Sequence, residues 1–192
     1  MSLPLPQSDR KPLHTRKITV NTFARTDGLW DLEAELIDYK AYDFDLQAGG
    51  RRKAGEHIHH MLLRVTIDSE FTITEAHAAY EAAPYGNHCS CIAPAYSGLV
   101  GLNLLKGFRN QVKLRFGRTA GCTHMTELSY VLPTVAVQTM AGERKKETAE
   151  NKGDKPKKPF QLEGCHALRL DGPVAKKFYP LWYQEPKTKS NK

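Results

Sequence analysis

Residues 30–36 read Trp30-Asp31-Leu32-Glu33-Ala34-Glu35-Leu36, an unbroken alternation of apolar and acidic side chains. Only a strand has that period, because successive side chains leave it on opposite faces. Trp30, Leu32, Ala34 and Leu36 are thus expected to face a core, with the three acids on a solvated face rather than around a cation. Residues 14–23 upstream are β-rich, with Ile18 and Val20 on one face, and Asp27-Gly28 supplies the tight turn between the two runs. This is a hairpin.

A second hairpin follows. Residues 57–67 form an apolar run opened by His57-Ile58-His59-His60; Asp68-Ser69-Glu70 turns it, and residues 71–78 return. Side chains two apart share a strand face, so His57 and His59 are expected on one side and His60 on the other. Beyond Pro84-Tyr85-Gly86-Asn87 the period changes. Ala95, Leu99, Leu102 and Leu105 recur at helical spacing. Gly107 breaks that run, and residues 108–116 read as a second helix with Arg109, Lys113 and Arg115 outside. Gly117 and Gly121 bracket a loop. Thr123 then caps a third helix through Leu128, Val131 and Val135 to about Met140, with Pro133 as a kink.

Residues 141–159 are poor in apolar side chains and read as a flexible charged insert. Residues 160–170 and 174–179, joined by Asp171-Gly172, read as a closing C-terminal hairpin that places Cys165 on a strand. The expected fold is α+β, an antiparallel sheet with helices packed on one side. Its expected organisation is a disordered lead-in at 1–13, one domain at 14–182 carrying the insert, and a basic tail at 183–192.

Composition narrows the function classes. No stretch of the 192 residues approaches the roughly 20 apolar residues that span a bilayer, so no membrane is expected. The start, Met1-Ser2-Leu3-Pro4, lacks the basic and apolar regions of a signal peptide. A cytoplasmic setting follows, in which four cysteines stay reduced. The net charge of +7 suggests nucleic acid. Yet the excess sits in the insert and tail, where Glu143, Glu147, Glu150 and Asp154 interleave with Lys145, Lys146 and Lys152, so a solvated charge run explains it without a specific nucleic-acid partner.

The chemical signal is the pairing of cysteine with histidine. His88-Cys89-Ser90-Cys91, Cys122-Thr123-His124 and Cys165-His166 put every thiol within three places of an imidazole. Thiolate and neutral imidazole are favoured ligands of zinc and iron. The expected metal ligands are His57, His59, Cys91, Cys122 and His124, holding zinc, iron or transiently an iron–sulfur centre. An alternative is a small-molecule enzyme. Cys122 at a helix N-terminus would have a lowered pKa and act as nucleophile, and His59 or His124 would act as general base. A third reading is a non-catalytic interaction module whose cysteines are core. Cys165 is expected to pack behind the site; the role of Cys89 stays open. The partner is a small molecule, a protein or, in a homodimer, a second copy.

The chain resembles a bacterial family of uncharacterised proteins, the domain of unknown function numbered 2889. The resemblance is carried by Arg25-Thr26-Asp27-Gly28-Leu29-Trp30, Gly55-Glu56-His57-Ile58-His59-His60-Met61, Leu99-Val100-Gly101, Gly121-Cys122-Thr123-His124 and residues 165–174. More distantly, residues 55–140 are similar to NifU-type iron–sulfur scaffold proteins. His57 or His59 stands where those have a first cysteine ligand, Cys91 at the second and Cys122 at the third, with Lys106-Gly107 as a helix end. That likeness implies a metal site on a hairpin and two helix starts.

Overall fold

The computed structural model describes residues 2–150 and 158–186, with side chains described for 2–143 and 158–186. Two compact units divide the chain between Ala136 and Val137. The first is built on four long strands: β1 (His14–Ala24), β2 (Trp30–Lys40), β5 (His57–Ile67) and β6 (Ile73–Ala82). They form one antiparallel sheet in the order β1-β2-β5-β6, while β3 (Phe44–Asp45) and β4 (Arg51–Arg52) make a small separate ladder. The α+β expectation holds, and the alternation of β2 is its reason. Leu32, Ala34 and Leu36 are buried, whereas Glu33 on the same strand is exposed.

Met61, Leu63, Val65 and Ile67 of β5 and Ile73 and Ala76 of β6 continue the buried face. α3 (Thr123–Ser129) packs on β2 and β5 and contributes Met125 and Leu128, and α2 (Phe108–Phe116), with Phe108, Val112 and Phe116 buried, packs on α3. Between α1 (Asn87–Ser90) and α2 the expected α-helix is replaced by a 3₁₀ segment at Ala93–Leu99 followed by turns. Its buried residues are Tyr96 and Leu99, with Leu102 and Leu104 beyond, while Ala95 and Leu105 are exposed. Pro94 opens that segment and Tyr96 stacks on Phe116 at 4.6 Å between ring centroids, so one large ring sets the phase there.

The expected third helix is two helices. α3 ends at Ser129, and α4 (Leu132–Glu150) begins after Tyr130-Val131. Pro133 lies in the first turn of α4, where its missing N–H costs nothing, so it marks a start and not a kink. α4 runs on into the segment read as a charged insert; residues 151–157 lie outside the described residues, as do residues 187–192 of the tail.

In the second unit the expected closing hairpin is not formed. Residues 173–178 are helical, as α5 (Pro173–Phe178), preceded by a 3₁₀ turn at His166–Leu168 with Cys165 exposed at its start. Pro173 has no N–H for a ladder and is pre-set for a helix's first turn. Gly172 before it leaves the space that Arg169 Cγ fills, 2.9 Å from where a Cβ would stand. Among the described residues no helix is long and apolar enough to cross a membrane.

Candidate metal centre

The core face of the sheet becomes polar at one end, and the strand phase dictates which residues meet there. The inward series of β2 runs Leu32, Ala34, Leu36 and then Asp38, which is 2% exposed. Cross-strand partners share a face: Arg16 of β1 pairs with Asp38, and so does His59 of β5. The start of α3 brings Cys122 and His124 over the same end. The Asp38 carboxylate accepts two bonds from Arg16, from Nε to Oδ1 and from Nη2 to Oδ2, both 2.8 Å. Arg16 also meets Glu127 through Nη1.

Imidazoles occupy the rest of the carboxylate. His59 Nδ1 lies 3.1 Å and His124 Nε2 3.8 Å from Oδ2, and His14 Nε2 lies 3.2 Å from Oδ1. The His59 and His124 rings sit 3.9 Å apart, tilted by 31°. Burial alone would push the Asp38 carboxyl up. The Arg16 guanidinium, helped by His59 and His14, outweighs it and holds the group below its ordinary range. Burial and the neighbouring His124 push the His59 imidazole down, against the pull of Asp38. A neutral imidazole next to an ionised carboxylate is the protonation state a metal needs.

Asp38, His59 and His124 can each offer one donor atom, and these atoms all lie within 4.8 Å of one another. Cys122 adjoins them. It is the N-cap of α3, and its backbone is pinned at both ends by one hydroxyl. Its N–H donates to Tyr96 Oη at 2.9 Å, and its carbonyl accepts from the same Oη at 3.0 Å. Burial pushes the Cys122 thiol up, but the His124 side chain, the Met125 N–H and the His124 N–H, with the Tyr80 hydroxyl nearby, outweigh it and bring the pKa to about 7.

Of the residues expected from sequence, His59, Cys122 and His124 come together; His57 and Cys91 do not join them. A bulge between Asp38 and Tyr39 pairs Asp38 with His59 but Tyr39 with His57. The extra residue breaks the two-residue period. His57 therefore meets the ring of His60, at 5.1 Å, instead of sharing the face of His59. His60 in turn bonds Glu35 at 2.7 Å, a residue in the outward phase of β2. Cys91 is the exposed C-cap of α1, its Sγ 3.5 Å from the His88 carbonyl, and does not open a helix. Gly107, with φ 67°, precedes α2 as its N-cap, so Lys106-Gly107 is a helix entry and not a helix end. Asp38, Arg16, His14 and Tyr80 were not foreseen. The signal for Asp38 was in the chain, since it continues the inward phase of Leu32, Ala34 and Leu36 by one more step.

The sequence profile of a family described as "Protein of unknown function (DUF2889)" matches residues 14–138. The chain belongs to this family. The DUF2889 match begins at His14 and contains Asp38, His59, Cys122 and His124, whereas Cys165 lies beyond it. No curated protein and no solved structure gives a match.

Proposed function

We propose that this DUF2889 chain binds one transition-metal ion at Asp38, His59 and His124, with the Cys122 thiolate as a fourth donor beside His124. The observation that carries the reading is the convergence of three donor atoms from β2, β5 and α3 within 4.8 Å. Two imidazoles, a carboxylate and a thiolate suit zinc, with iron(II) second. An iron–sulfur cluster fits less well, because Cys91 is exposed and is not among the converging donors. A reducing, cytoplasmic setting belongs to the same proposal, since a thiolate ligand must stay reduced.

The test is metal uptake by protein stripped with chelator, followed by elemental analysis and calorimetry with Zn²⁺. One ion per chain is expected, with His59→Ala and His124→Ala each weakening binding at least about tenfold. No uptake, or uptake unchanged in the double variant, overturns the reading.

One observation favours a second reading. A thiol with a pKa near 7, bonded to an imidazole that approaches a carboxylate, is also the arrangement of a nucleophile with its base. A stoichiometric burst of product from an activated ester, present in metal-free protein and lost in Cys122→Ser, is its signature. Absence of a burst removes it.

A further inference from the structure

Tyr80 lies on β6 opposite Met61 of β5, in the inward phase of the sheet, at the same end as His59. Its hydroxyl is buried and, among the described residues, makes no hydrogen bond of ordinary geometry. Such orphans are rare, because a buried donor that gave up water needs a replacement. The group it faces is the Cys122 sulfur, which interacts with it electrostatically without meeting it in bonding geometry. Cys122 itself cannot drift, because Tyr96 holds its N–H and its carbonyl. A neutral thiol is a poor acceptor, and a thiolate is a strong one.

We propose that Tyr80 is a positioning residue for Cys122: when the sulfur is a metal-bound thiolate, the Tyr80 hydroxyl donates to it and fixes its direction. This rests on the metal reading above and adds to it the group that supports the thiolate ligand. Hydrogen bonding to a ligand sulfur stabilises its lone pairs, lowers their donation to the metal and tunes the centre. The unsatisfied hydroxyl of the metal-free protein is then the cost of a site arranged for its metal-bound state.

The experiment uses full-length protein loaded with Co²⁺, whose d–d bands report binding and whose sulfur-to-cobalt charge-transfer band reports thiolate ligation. Cys122→Ser is expected to keep the d–d bands and lose the charge-transfer band. Tyr80→Phe is expected to shift that band to lower energy and weaken Co²⁺ binding about tenfold. In the metal-free state at about pH 5.5, where Cys122 is a neutral thiol, Tyr80→Phe should melt at or above the wild-type temperature, since it removes an unsatisfied group. The same melting curve shows that the variant is folded.

An unshifted band with unchanged affinity in Tyr80→Phe overturns the proposal. So does a lower melting temperature of the metal-free variant, which would mean that the hydroxyl already has a partner. Co²⁺ bound by the wild type without a charge-transfer band overturns it too, while leaving the three-donor centre standing. No Co²⁺ binding at all overturns both.

Discussion

At the scale of the residue, the centre turns on one buried carboxylate. Asp38 is 2% exposed, and its charge is compensated chiefly by Arg16, which is 29% exposed. Removing one partner of such a pair leaves the other unmatched, and the cost depends on which is the more buried. Arg16→Met strands the Asp38 charge and is expected to cost about 3 kcal/mol. Asp38→Asn should cost less, because Arg16 keeps Glu127 and water. Urea titration of the two metal-free variants checks the order, and a reversed order contradicts the assignment. Protonation acts on the same groups. The folded-state pKa of His59 is lowered, so below about pH 6.5 the unfolded state takes up its proton first and stability falls with pH. The lowered pKa of Asp38 adds a loss of the same sign, setting in below the ordinary carboxylate value. Metal-free protein should accordingly melt at progressively lower temperature from pH 7 to pH 5, with a smaller slope in His59→Phe. Cys122 gives a separate readout. Its alkylation by iodoacetamide in metal-free protein should reach half its maximal rate near pH 7, and His124→Ala should move that midpoint up towards the ordinary thiol value of about 8.5.

At the scale of the element, the strands were readable and the site's exact membership was not. Alternation over Trp30 to Leu36 defines a strand and its inward face without any structure. Carried one step further it also points Asp38 at the core. The bulge opposite Tyr39 has no comparable mark, since nothing about Ile58 says that it is the extra residue. That single insertion is why His57 was assigned to the wrong face. The 3₁₀ segment at Ala93–Leu99 was misread because leucines at helical spacing do not reveal that a buried tyrosine sets the packing. Near the site, Gly121 is the residue that lets α3 approach. A Cβ there would stand 2.6 Å from the Phe116 carbonyl oxygen and 2.8 Å from Phe116 Cβ. Gly121→Ala is expected to destabilise by about 1–3 kcal/mol and to weaken metal binding by displacing Cys122. Pro133→Ala, in the first turn of α4, should change stability by less than about 0.5 kcal/mol. Chemical denaturation of both variants tests the contrast.

At the scale of the molecule, the candidate metal donors belong to β2, β5 and α3 of the first compact unit. Asp38 and His59 are separated by 21 residues, and His124 comes only after β6 and the 3₁₀ segment. A ligand that binds the folded state alone stabilises it by mass action. At a hundredfold excess over Kd, Zn²⁺ should add about 2.7 kcal/mol to the unfolding free energy, and at the same zinc concentration His59→Ala should cut that gain to about 1.4 kcal/mol or less. The spacing also dictates when the centre can exist during biosynthesis. A finger-like motif captures its ion from a few neighbouring residues as soon as they leave the ribosome, whereas Asp38, His59 and His124 come from distant parts of the chain. The sheet must close and α3 must dock before the donors meet. On the proposed metal reading, loading follows folding, and a nascent chain can fold before its ion arrives.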